Sequence, residues 1–238
     1  MSTARGLNQA IWDLRGPPVT GASGNGPMMP QGHYTARLTL GSTAASQAFD
    51  VVADPRAQST ADEENERLAL TRHIMEVTTT TNATYNELRD VLKQARDLEK
   101  QVKAKSSAAE VALESFVDEL EQIEHRFQPP WSRGPGSQMI LNAGMGPVAQ
   151  SGPVQNAIDG GEGPINQGDK LRAREVEALC VQVRAEADAA MNTAIPNINA
   201  VLGSAGLSPA IARHPGAAAP QGEDAGDESL EDSDTNQD

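Results

Sequence analysis

Between Thr81 and Phe127 the apolar residues recur in steps of four and three. The first run is Thr81, Tyr85, Leu88, Leu92, Ala95, Leu98 and Val102, and the second is Ala109, Leu113, Phe116, Leu120, Ile123 and Phe127. This spacing returns each side chain to one stripe of a 3.6-residue helix, which is the seam of a helix in a bundle. A third run, Val176, Leu179, Val183, Ala187, Met191, Ala194, Ile198 and Leu202, follows the same rule. Aromatic residues make up only 3% of the chain, and large aromatics dominate burial in compact pocketed cores. A chain so poor in them suits helix–helix packing better than a deep cleft.

The ends of these helices are legible too. Ser59 and Thr60 precede Asp62 and Glu63 at capping-box spacing, and the acidic first turn complements the helix dipole. Ser107 with Glu110 predicts the cap of the second helix, and Pro129-Pro130 ends it. Thr78 to Thr84 is a run of poor helix formers, so the first helix is expected to thin or bend there. Pro196 lies inside the third helix and predicts a kink near residues 192–196, and Gly206 stands where a C-cap glycine belongs. Helices near 61–104, 107–127 and 170–203 would span roughly 65, 30 and 50 Å. The first is twice the second, so the third is expected to cover the face that the second leaves open.

Ahead of the helices, the pattern switches to period two. Residues 7–15 place Ala10, Trp12 and Leu14 on one face, and Trp12 there reads as a core side chain. His33 to Leu40 sets Tyr34, Ala36, Leu38 and Leu40 opposite His33, Thr35, Arg37 and Thr39. Gly41-Ser42 makes a turn, and residues 46–53 return around Phe49 and Val51 until Asp54-Pro55. Three short antiparallel strands with one apolar face amount to half a sandwich. A unit of about fifty residues rarely stabilises itself and must pack on something.

The expected architecture is therefore α+β and mostly helical, a small antiparallel Ig-like β unit followed by an antiparallel bundle of about three long helices. Its parts are a partial β module over 1–56, a helical hairpin over 57–127 and a Gly/Pro-rich linker over 128–168, with at most a helical turn near Met139–Leu141. A third bundle helix over 169–211 and an acidic disordered tail over 212–238 complete it. Eight acidic and no Lys or Arg side chains follow Arg213, so only −6 of the net charge of −14 belongs to residues 1–213. That balance argues against nucleic acid and anionic membranes as partners. No apolar run is long enough to insert in a membrane. Met1 to Gly16 has no apolar stretch of the signal-peptide kind, which makes the cytoplasm the default location.

Chemistry-bearing patterns are weak. The single Cys180 rules out an internal disulfide and a Cys-based zinc site, and its place in a helical pattern predicts a buried, inert thiol. His33, His73, His125 and His214 lie on four segments with no i, i+4 pair, so no metal is expected. Glu110, Glu114, Asp118 and Glu121 read as a solvated helix face rather than a catalytic carboxylate pair. Gly160-Gly161-Glu162-Gly163-Pro164 follows no strand and opens no helix with a phosphate-binding Lys. No catalytic, cofactor-binding or metal-binding residue is assigned, and no cofactor is expected.

The string Gly6-Leu7-Asn8-Gln9-Ala10-Ile11-Trp12-Asp13-Leu14-Arg15, then Pro30-Gln31-Gly32-His33-Tyr34-Thr35-Ala36-Arg37-Leu38-Thr39, then Asp54-Pro55-Arg56, resembles the C-terminal region of bacterial proteins with sortilin-like BNR-repeat β-propellers, commonly labelled glycosyl hydrolases. Asn86-Glu87-Leu88 through Leu98, Ile195 to Leu202 and Gly206-Leu207 are similar to later landmarks of that region, so the resemblance covers about residues 6–211. It implies an Ig-like module leading into a helical region. Gln31 stands where the family pattern has proline. The propeller, to which any hydrolase label belongs, has no counterpart here, and neither has the strand that would precede Gly6. A fragment, a split gene product and a partner of a separately encoded propeller all fit. The leading expectation is a non-catalytic accessory or interaction module, and the alternative is a glycoside hydrolase by family label. An edge left open by the missing strand would make residues 6–40 associate, with a second copy or with a propeller chain. The parent family is often exported, which qualifies the cytoplasmic default.

Overall fold

The structure is a computed structural model that describes residues 8–20, 25–56, 59–103, 105–127, 146–161, 163–207 and 211–216. The order of elements is β1 (Gly32–Leu40), β2 (Thr43–Val51), α1 (Ala61–Lys103), α2 (Ser107–Phe127), α3 (Pro147–Asp159) and α4 (Gln167–Ser204). The fold is α+β and mostly helical, a small antiparallel β unit followed by a helical bundle. The disordered tail expected from residue 212 is corrected at its start, since Ala212, Arg213 and His214 are bonded to the bundle. Its acidic remainder beyond Gly216 and the turn expected near Met139–Leu141 lie outside the described residues.

The seam read from the sequence is the seam of the bundle. Leu88, Leu92, Ala95, Leu98 and Val102 of α1 pack with Leu113, Phe116, Leu120 and Phe127 of α2 and with Val183, Ala187, Met191 and Ile198 of α4. Thr60 opens α1 with a capping box: its hydroxyl accepts from the Glu63 amide, and the Glu63 carboxylate accepts from the Thr60 amide. Helix α1 runs unbroken through its threonines. Thr78, Thr80, Thr81 and Thr84 each donate their hydroxyl to the carbonyl four residues back, which satisfies the side chains within the helix. Helix α4 likewise continues through Pro196 to Ser204.

Two local readings are corrected. The side chain that caps α2 is Ser106, whose hydroxyl accepts from the Ala109 amide, rather than Ser107. The α4 seam passes through Cys180 and leaves Leu179 exposed, because Ala173, Val176, Cys180, Val183 and Ala187 alternate steps of three and four, which Leu179 would turn into two threes and two fours in succession. The close of α4 is a Schellman motif, with Gly206 in the left-handed region at φ +69°. Its amide donates to Gly203 O and that of Leu207 to Leu202 O, and Leu207 is buried in the core.

The stretch read as linker contains a helix. In α3, Pro147, Ser151, Val154 and Ile158 are buried at steps of four, three and four. Pro147 takes the first helical position, where its missing amide costs nothing, and the Ser151 hydroxyl donates to Val148 O. Gly152-Pro153 in mid-helix masks the seam in the sequence. Val154 and Ile158 join Ile74, Val77, Ala173, Val176 and Cys180 in a second apolar cluster. Full burial of Val154 and Ile158 contributes about 1.5–3 kcal/mol each. Helix α2 thus covers the C-terminal half of α1, and α3 covers the N-terminal half. Ion pairs fix the directions: Arg96–Glu121 and Lys103–Glu110 set α1 and α2 antiparallel, and Lys170–Glu66 and His73–Glu177 set α4 parallel to α1. The bundle is up–down–up, its descending layer made of α2 followed by α3.

The β unit has two strands among the described residues, not three. β1 and β2 pair antiparallel over their full length, from Gly32 with Val51 to Leu40 with Thr43, across a two-residue turn in which Gly41 adopts φ +58°. Residues 8–14, expected as a strand, form no ladder. The Asp13 carboxylate accepts from the Arg15 amide, the Trp12 indole donates to Arg15 O, and Leu14 is left-handed at φ 62°. These short-range bonds turn the chain where a strand would continue. Arg15 alone bridges to Met28.

Candidate interaction surface

The β-hairpin is joined to the bundle by a strap described over residues 12–20 and 25–31. Within the strap, Gly16 N–H donates to Pro27 O and Met29 N–H to Leu14 O, both at 2.9 Å. Gly26 sits so close to Gly16 and Pro17 that a β-carbon there would overlap their backbone. Two carboxylates of the bundle hold the strap. Asp159, at the end of α3, accepts from the Arg15 guanidinium at 2.8 Å and from the Met28 amide at 2.9 Å. Glu64, in the first turn of α1, accepts from the Gln31 amide at 2.6 Å and from the Ser59 hydroxyl at 2.9 Å. A cavity of about 410 Å³ lies at this junction, with Leu14, Met28, Val51 and Arg67 in its wall. Of the three carboxylates in its wall, Asp159 and Glu64 hold the strap and Asp54 is bonded to Arg56, so each is committed to a structural contact.

Beyond the strap, the hairpin carries one apolar and one polar face. Tyr34, Ala36, Leu38 and Leu40 share a face with their partners Phe49, Gln47, Ala45 and Thr43. At its base, Trp12 packs on Tyr34 and Phe49 with ring centroids 5.2 and 6.0 Å apart. Trp12, expected in a core, is instead a half-exposed member of this small cluster. Toward the tip nothing described covers the face: Leu38 is 57% exposed and Leu40 76%. At the other end, Ile11 and Val52 are exposed as well. Among the described residues no helix packs across the hairpin. The opposite face carries His33, ion-paired with Asp50, together with Thr35, Arg37 and Thr39.

The other polar constellation is a buried clamp. Glu87 of α1 is buried, and both its oxygens accept from Arg213, at 2.8 and 2.9 Å. Arg213 also donates to Asp188 at 2.6 Å and to Asn192 at 2.9 Å. These carboxylates raise the guanidinium's affinity for its proton further above the ordinary value. The carboxamides of Gln94 and Asn199 each grip a whole backbone unit, of Ala212 and Ile211 respectively. Ile211 is buried in the core. This cluster fastens residues 211–214 into the groove between α1 and α4, and every polar group in it is committed to that task. Glu87 and Arg213 are 126 residues apart, and no local pattern marks them as partners.

The residues weighed from sequence lie apart from one another. Cys180 is fully buried beside Thr81, and burial pushes its thiol up. His33, His73 and His214 each face a single carboxylate on a different element, while His125 lies in the last turn of α2. Among the described residues no group of three or more His, Cys, Asp or Glu is placed to hold a metal ion, and no helix is long and apolar enough to cross a membrane. Glu110 and Glu121 pair with Lys103 and Arg96 on the bundle surface, and Glu114 and Asp118 are exposed. Comparison with protein-family models, curated proteins and solved structures finds no match to this chain.

Proposed function

We propose that the chain is a non-catalytic accessory module, a bundle that holds out a β-hairpin for docking to another polypeptide. The observation that carries this reading is the hairpin itself, which among the described residues has an uncovered apolar face, two unpaired edges and a firmly bonded base. A lone two-stranded hairpin is marginal in water, and exposed edges invite a further strand. The resemblance of residues 6–56 to the tail of sortilin-like propeller proteins makes a separately encoded β-propeller chain one candidate partner and a second copy the other. The glycoside hydrolase alternative gains nothing from Glu64 and Asp159, which are occupied as anchors.

The test is a paired substitution at the tip, Leu38→Lys with Leu40→Lys, in the full chain. Association is measured by sedimentation over a wide concentration range and by co-purification with a co-expressed propeller chain from an adjacent gene. The wild type should bind one of the two, and the variant should lose that binding while its melting curve is unchanged. Equal behaviour of wild type and variant toward both partners would contradict the proposal. So would saccharide cleavage that disappears on changing a single Asp or Glu.

A further inference from the structure

Resting on that reading, we infer that the partner of β1 is β1 of a second copy, paired antiparallel about a two-fold axis at Ala36. The backbone sets the possibility. Leu40 and Thr43 flank a two-residue turn and form a hydrogen-bonded pair, as does every second pair back to Gly32 and Val51. The amides and carbonyls of His33, Thr35, Arg37 and Thr39 therefore point away from β2, along the free edge. Rotation about Ala36 brings His33 opposite Thr39 and Thr35 opposite Arg37 of the second copy, each pair meeting through these outward groups. The overlap spans all nine residues of the strand.

The side chains choose a second copy over an unrelated strand. The aromatic cluster lies at the start of β1 and the uncovered leucines at its end. Antiparallel pairing exchanges them. Leu38 lands beside Tyr34 of the second copy, in a row that continues to its Phe49. Leu40 lands on Gly32 of the second copy, which has no side chain, and so reaches Val51 at the wall of the junction cavity. Each copy thus covers the other's exposed leucines with its own aromatic base. Register is selected as well. A slip of one residue sets the apolar face of one strand beside the polar face of the other. A slip of two residues either opposes the two Arg37 side chains or removes Leu38 from Tyr34. The equivalent pairing of β2 would gain only Ala45 beside Phe49 and Thr43 beside Val51. The product is a four-stranded sheet with a bundle at each end.

Site-specific cross-linking of the full chain tests this, in a Cys180→Ala background that leaves only the introduced thiol. Ala36 faces itself in a non-hydrogen-bonded pair, whose Cα separation of about 4.5 Å suits a disulfide. Under mild oxidation, Ala36→Cys should convert to a species of twice the 25.1 kDa chain mass, whereas Thr35→Cys and Arg37→Cys should remain monomeric. Thr35→Pro removes an outward donor and no hairpin bond, so it should abolish the dimer in sedimentation without changing the melt. Equal cross-linking at all three positions, or none at Ala36, overturns the pairing. If Ala36→Cys fails while the Leu38 and Leu40 substitutions still abolish binding to a propeller chain, self-pairing is wrong and the docking function stands. If both fail, both are wrong.

Discussion

Cys180 and Glu87 are both buried, and both are structural. The Cys180 thiol is fully buried among Ile74, Val77, Val176 and Ile158, and desolvation raises its pKa above that of an ordinary thiol. A thiol reagent should therefore label it only on unfolding. Cys180→Ala should cost about 1 kcal/mol or somewhat more in urea denaturation, from lost packing. The raised thiol also has a pH signature. Above the ordinary thiol pKa the unfolded chain has lost this proton while the folded chain retains it, so stability falls as pH rises through that range. Tyr85 is raised too, by burial and then by Glu124, and adds to the same alkaline loss. Cys180→Ala should flatten the slope of stability against pH near pH 9–10 without abolishing it, and a slope equal to wild type would contradict a buried thiol. Glu87 is different. Its side chain is 7% exposed and its partner Arg213 is 26% exposed, so Arg213→Ala strands a buried carboxylate. We expect a loss of roughly 2–3 kcal/mol, below that of a fully buried pair. Glu87→Gln in the same chain should restore part of it, as read by urea denaturation. The burial of Cys180 was anticipated from the habit of free cysteines in helices to be buried, although the seam read from the sequence ran through Leu179 instead. The Glu87–Arg213 clamp was not, because it joins residues with no local relation.

Among the elements, the long helices were the easiest to read and α3 the hardest. The seams of α1 and α2 recur often enough that single poor helix formers do not obscure them, and the threonine run survives because its hydroxyls bond back into the helix. Helix α3 has only thirteen residues, with a Gly-Pro step at its centre, and depends on contacts with α1 and α4 rather than on propensity. The first strand failed for the opposite reason. Its alternation is genuine, yet side-chain bonds between Trp12, Asp13 and Arg15 redirect the chain before a ladder forms. A helix held by tertiary contacts should be sensitive to its buried seam. Ile158→Ala is expected to cost about 2–4 kcal/mol in urea denaturation. In limited proteolysis, residues 147–159 should resist cleavage in the wild type and be cut early in the Ile158→Ala variant. Early cleavage of 147–159 in the wild type would contradict the helix.

At the scale of the whole molecule, the chain divides its labour. The bundle and its strap supply stability through two apolar clusters, the Arg213 clamp and the Asp159 and Glu64 anchors, and the hairpin carries a face that the other described residues leave uncovered. This division predicts that Leu38→Lys alone, at a site already exposed, changes stability by less than about 0.5 kcal/mol. The architecture as α+β with a dominant bundle was readable from periodicity. The way the hairpin is mounted was not, since Asp159 lies beyond the bundle's second helix in a stretch dominated by Gly and Pro. The central claim is that the hairpin is a docking element and not part of the core. Amide hydrogen exchange on the wild-type chain, followed from dilute to concentrated solution and with a co-expressed propeller chain, tests it most directly. The account predicts slow exchange throughout the bundle under all conditions. It predicts fast exchange at Thr35, Arg37 and Thr39 in dilute solution, becoming slow when a partner is present. Protection of those three amides equal to the bundle at the lowest concentration, or no change under any condition, would contradict it.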